Sequence, residues 1–161
     1  MKRIVTIFFC LFILSTAFAQ EQNFKEFYQS NKDKAEVSLN IPSFFANMFI
    51  SDEDTDEFGV FLKKSKNYKI MVFNNNMVSV QKDFQKFARK NKLKTLVRVK
   101  DGKERVTVYF RESKDRIKEI IVNVHDNTDE LVLLGIKTNL TMDELSAMVE
   151  ASTKNKSIAS N

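Results

Sequence analysis

The chain has 161 residues, 43% of them hydrophobic, and a formal net charge of +5 from 26 Lys and Arg against 21 Asp and Glu. One cysteine, one histidine and three glycines leave no material for a disulfide framework, a Cys/His metal set or a glycine-rich phosphate loop. The length suits one domain once a targeting segment is set aside.

Lys2 and Arg3 precede an almost unbroken apolar run, Ile4 to Leu14, and Ala17-Phe18-Ala19 places small residues where a signal peptidase reads them. The run is shorter than the roughly 20 apolar residues that span a bilayer, so residues 1–19 are expected to be a cleaved signal peptide and not an anchor. Cys10 leaves with it, since Ile7-Phe8-Phe9 are not the small residues that precede a lipid-modified cysteine. The mature chain from Gln20 is then cysteine-free and either periplasmic or secreted. Two of the 26 basic residues go with the signal, lowering the net charge from +5 to +3. Stability must come from packing alone.

Phe24, Phe27 and Tyr28 recur at helix spacing. Val37, Leu39 and Ile41 alternate with Ser38 and Asn40 as in a half-buried strand, which Pro42 stops because proline cannot donate to a ladder. In the next helix Phe44, Phe45, Met48, Phe49 and Ile50 cover most of the circumference, which predicts core packing, with insertion into a membrane surface as the competing use. The acidic run Asp52 to Glu57 resembles the first half of a calcium loop. Its sixth and twelfth positions are Glu57 and Lys63, where such a loop needs glycine and a bidentate glutamate, so a solvated loop is expected.

Phe58, Phe61 and Leu62 mark a helical turn, and Lys69 to Phe73 a second strand closed by Asn74-Asn75-Asn76. Met77, Val80, Phe84, Phe87 and Ala88 form the stripe of the clearest helix, with Lys82, Lys86, Arg89 and Lys90 opposite and Lys92 and Lys94 beyond. No recognition motif or stacking platform accompanies these cations, so they predict a solvated face and no nucleic-acid partner.

From Leu93 to Thr138 four β-rich runs separated by turns form an antiparallel meander. A turn at Asp101-Gly102 sets Val97 opposite Val106 and Thr95 opposite Val108. A second turn within Glu112–Arg116 sets Val108 against Ile120 and Val106 against Val122, and a third, Asp126 to Asp129, sets Val122 against Leu133. One face then holds Val97, Val99, Val106, Val108, Phe110, Ile120, Val122, Val124, Leu131 and Leu133, and the Met77 to Ala88 stripe is its expected cover. The other face is basic and polar at one end, with Lys94, Arg98, Arg105, Tyr109, Arg111, Glu119 and Asn123. It is apolar at the other, with Leu96, Ile121, Val132, Leu134 and Ile136. A final helix, opened by a Thr141/Glu144 capping box and striped by Leu145, Met148 and Val149, is expected to cover that apolar end. Residues 153–161 read as a flexible polar tail.

In this register Arg98 and Arg105 oppose each other, which weakens the hairpin unless something negative lies between them. Either Glu104, Glu119 or the acidic loop neutralises them, or Arg98, Arg105 and Arg111 with Tyr109 form a site for an anion or an acidic partner. His125, the lone histidine, falls near a turn, where a solvent-facing role is expected. No catalytic residue, metal ligand or cofactor site follows from this inventory.

Leu96-Val97-Arg98-Val99-Lys100-Asp101-Gly102, Ile117-Lys118-Glu119-Ile120 and Glu130-Leu131-Val132-Leu133-Leu134 resemble a family of small exported bacterial proteins termed domain of unknown function 4252. The resemblance covers most of the mature chain and implies an exported Bacteroidota-type protein of unknown role. It supplies no catalytic or binding residues.

The resulting expectation is a single α+β domain over residues 20–152, about six strands in all, acting without catalysis in the cell envelope. It would meet an envelope protein or an anionic ligand through Arg98, Arg105, Arg111, Tyr109, Leu96 and Ile121 on the mixed face of its sheet. The alternative is an envelope hydrolase that uses carboxylates.

Overall fold

The computed structural model describes residues 23–47, 57–126 and 130–158. The expected signal peptide, Met48 to Ile50 and most of the acidic run lie outside those residues. In chain order the elements are α1 (Phe24–Asn31), a 3-10 turn (Lys32–Lys34), β1 (Val37–Pro42), α2 (Ser43–Asn47), α3 (Glu57–Lys64), β2 (Asn67–Phe73), α4 (Met77–Lys90), β3 (Lys94–Asp101), β4 (Glu104–Ser113), β5 (Arg116–Asp126), β6 (Glu130–Leu140) and α5 (Met142–Ile158). The helix α5 runs on into the segment expected as a tail. Six antiparallel strands form one open sheet in the order β1-β2-β6-β5-β4-β3, so the chain is a single α+β domain built on the predicted meander.

The meander forms, but its registers differ from those predicted. Gly102, at φ +54°, opens the first turn together with Lys103, and Asp101 is the last strand residue, paired with Glu104. Val97 therefore faces Val108, and Val99 faces Val106. The second turn is Lys114-Asp115, both left-handed at φ 52° and 56°, the conformation that matches strand twist, and Val108 faces Val122. These slips of two residues keep each side chain on its expected face.

The third slip is of one residue. Val122 pairs with Leu134, not Leu133, and a one-residue slip turns a whole strand over. Leu131 and Leu133 thus join Ile121 and Asn123, while Val132, Leu134 and Ile136 join Val124, Val122 and Ile120.

For β4 and β5 the covering helices are exchanged accordingly, while β6 keeps the cover expected of it, Leu131 and Leu133 under α4 and Leu134 and Ile136 under α5. The Met77 to Ala88 stripe of α4 packs, with α1, on the face of Ile121, Leu131, Leu133 and Tyr109. There Phe27 meets Phe84 edge-on at 5.7 Å and Phe87 at 5.1 Å between ring centroids. The other face packs Ile120, Phe110 and Ile136 against Phe61 of α3 and Leu145 of α5. The capping box of α5 forms as predicted: Thr141 N donates to Glu144 Oε2 at 2.9 Å, and Glu144 N to Thr141 Oγ1 at 3.2 Å.

Two features of this second face follow from the registers. A row of six valines, Val37, Val72, Val132, Val124, Val106 and Val99, crosses all six strands. Beside it runs Leu39, Ile70, Leu134, Val122, Val108 and Val97. Only the third row, with Tyr68, Ile136, Ile120 and Phe110, lies fully in the cluster beneath α3 and α5. Phe44 and Phe45, expected in the core, are exposed and packed on each other, on a short helix that follows the edge strand β1.

Candidate functional site

A cleft of about 460 Å³ lies between the start of α1 and the ends of β2, β5 and β6. Register builds it. Asn67, Lys137, Glu119 and Arg111 form one cross-strand row, and Asn40, Lys69, Gly135 and Ile121 form the next. Gly135 matters because a Cβ there would lie 1.9 Å from Phe24 Cδ1; its absence lets the Phe24 ring lie against the sheet and brings the N-terminus of α1 to the cleft.

Lys69 is 8% exposed, a rare state for lysine. Its ammonium donates to Asn40 Oδ1 at 2.7 Å and to Asn67 Oδ1, and lies 5.4 Å from the centroid of the Tyr28 ring. Burial pushes its pKa below the ordinary 10.5, and the charges of Lys25 and Lys137 push it further down. Lys118, Lys25 and Lys137 also line the cleft. Among the described residues none of these four lysines has an ion-pair partner.

The carboxylate that lines the cleft, Glu119, is 5% exposed and both of its oxygens are occupied. Oε1 accepts from Phe24 N at 3.1 Å and Oε2 from Arg111 Nε at 2.9 Å. Asparagine oxygens are turned the same way: Asn23 Oδ1 accepts from Glu26 N, Asn139 Oδ1 from Lys118, and Asn40 and Asn67 serve Lys69. These acceptors are thus engaged from within, and the four lysines share the cleft with the apolar Phe24 and Ile136. Such a lining favours an acceptor-rich anion.

The residues singled out by sequence are dispersed. Arg111 belongs to this cleft. Arg98 and Arg105 do not oppose each other: Arg98 faces Thr107, and Arg105 lies between Lys100 and His125, because the turn is one residue further on. Both arginines, with Tyr109, border a separate cavity of about 180 Å³ beneath Gln81 and Gln85 of α4. His125 lines it too, and its Nδ1 is buried without a hydrogen-bond partner, where a solvent-facing ring was expected.

Leu96 and Ile121 are on opposite faces. A bulge between Thr95 and Val97 makes Leu96 the extra residue, sends it to the cluster of Phe110, and puts Lys94 opposite Phe110 and in an ion pair with Glu112 at 2.7 Å. Ile121 is fully buried under α1 and α4 and cannot contact a ligand. Sequence reasoning missed Lys25, Lys69, Lys118 and Lys137. For Lys69 a signal existed: it alternates with Met71 and Phe73, so it occupies a core-facing position of a strand.

Among the described residues no three His, Cys, Asp or Glu side chains form a metal-ligand set, and no helix is long and apolar enough to cross a membrane. Residues 24–148 match the family model of a domain of unknown function, DUF4252, and the chain belongs to that family. Searches among curated proteins and among solved structures gave no match.

Proposed function

We propose that this protein is an exported, non-catalytic binding module of the cell envelope, periplasmic or secreted, whose ligand is an oxyanion with more than one negative charge. The observation that carries this is the cleft in which, among the described residues, Lys25, Lys69, Lys118 and Lys137 have no ion-pair partner while Glu119, Asn40 and Asn67 are engaged internally. Lysine ammoniums act as compact point charges, which suits phosphate or clustered carboxylates. The volume is within the range of small-molecule sites. Export is supported by the sequence of residues 1–19, and N-terminal sequencing of the secreted form should begin at Gln20.

A hydrolase working through two carboxylates is the weaker reading. Among the described residues Glu119 is the one carboxylate that lines the cleft, and both of its oxygens are engaged by Arg111 and by a backbone N–H, so no pair of carboxylates converges there.

The test is thermal unfolding and calorimetric titration with pyrophosphate, phosphate and citrate against chloride at matched ionic strength. A ligand at ten times its Kd should stabilise the fold by about 1.4 kcal/mol. Multivalent anions should raise Tm above the chloride control, and Lys69→Met should lower their affinity at least tenfold. Equal behaviour of all anions, or unchanged affinity in Lys69→Met, would refute the proposal.

A further inference from the structure

The second face of the sheet carries a feature that the anion cleft does not use. In its two outer rows none of the aliphatic side chains is buried, and at the sheet edges Val37, Leu39 and Val99 are 43%, 46% and 46% exposed. Contiguous apolar surface of this extent marks an interaction site more often than a solvated face.

Immediately beyond the valine row, the same registers place Asp101, Glu104, Asp126 and Glu130 side by side on four neighbouring strands. Like charges directly opposite one another destabilise a sheet. Among the described residues Asp101, Glu104 and Glu130 have no ion-pair partner. The strip therefore has an aliphatic floor, a wall of helices on one side and a row of carboxylates on the other.

Its dimensions select an occupant. Five strand spacings of about 4.8 Å give a length of about 24 Å, and two side-chain rows give a width of about 10 Å. That is the diameter of one α-helix and the length of about 16 helical residues. Anionic lipid would be repelled by the carboxylate row, and the chain's own acidic run at Asp52 to Glu57 carries the same sign.

We infer that this strip docks one amphipathic helix of a partner protein, lying across the strands beside α3 and α5. Its aliphatic stripe rests on the valine and leucine rows, and Lys or Arg on one flank meets Asp101, Glu104 and Glu130. The face is opposite to the anion cleft, so the two sites act independently.

The probe is a pair of labelled 16-residue helical peptides with the same leucine stripe, one flanked by lysines and the other by glutamates, titrated by fluorescence anisotropy. The lysine-flanked peptide should bind at least tenfold more tightly, with pyrophosphate having no effect on it. Glu104→Lys with Glu130→Lys changes exposed residues only and should invert the preference, while Val124→Glu should abolish binding of both peptides. Should Val124→Glu fail to fold, the charge-reversed protein alone decides. Equal binding of the two peptides, absence of binding, or an unchanged preference after charge reversal would overturn the inference. So would a concentration-dependent dimer in sedimentation that Val106→Asp dissolves, which would assign the strip to a second copy.

Discussion

At Lys69 the cost of burial and the proposed means of binding are the same charge. Its lowered pKa means that below that value both folded and unfolded chains carry the proton, and the folded chain bears the full desolvation cost. As pH rises through the folded value toward 10.5, the unfolded chain holds more protons than the folded one, so stability rises with pH in that window. Comparing denaturation midpoints of the parent and Lys69→Met across the alkaline range should show this rise only in the parent. Affinity for a multivalent anion should fall over the same window, since the bound anion requires the charged lysine.

Gly135 makes the reverse case, a residue important for what it lacks. A methyl at this position collides with the Phe24 ring, which cannot move without vacating the core of α1. Gly135→Ala should cost about 1–3 kcal/mol by overpacking, and markedly less in a Phe24→Ala background. Chemical denaturation of the four proteins of that cycle measures the coupling directly.

Among the elements, α5 has the clearest local start signal and the most testable cap. Glu144 bonds Lys64 and the Thr141 backbone, and these contacts, Lys64 first, hold its pKa below the usual 4.5. Its contribution is thus present above pH 4.5 and disappears as pH falls through the lowered value. Thr141→Ala should cost about 1 kcal/mol at neutral pH. Glu144→Gln should cost less than that at pH 7, because the Lys64 pair is partly solvated, and nothing once the parent's carboxylate is protonated. Urea titrations at a series of pH values from 7 down into the acid range separate the two effects.

The strands teach a different lesson about legibility. Alternation places the residues of each strand on two faces, and that much was readable from Val106-Thr107-Val108 or Ile120-Ile121-Val122. Which face meets which helix depends on the parity of the β5–β6 connection, and one residue there put β4 and β5 under the other helices while β6 kept the cover expected of it. The Asp101-Gly102 signal located a hairpin correctly but not its centre, because the glycine's positive φ is accommodated at the first turn position with Asp101 still in the ladder.

At the scale of the molecule, two charged clusters of the described residues lie on opposite faces of the sheet: the α1 and α4 side carries the lysine cleft and the cavity of Arg98 and Arg105, while the α3 and α5 side ends in the carboxylate row. Relieving the carboxylate row should stabilise the free protein: Glu104→Lys with Glu130→Lys is expected to raise stability by about 0.2–1 kcal/mol per relieved pair, an effect that high salt removes. Thermal melts at low and high ionic strength test it.

Helix and strand periods, turn residues and capping pairs act within a few positions of one another, so the α+β class, the meander, the cap of α5 and the family were legible in the residues alone. The lysine cleft was not. Lys69, Lys118 and Lys137 come together with Lys25 through pairings between strands far apart in the chain and through the seat of Phe24 on Gly135. Convergence of that kind depends on register, and register is settled by the packing of both faces at once.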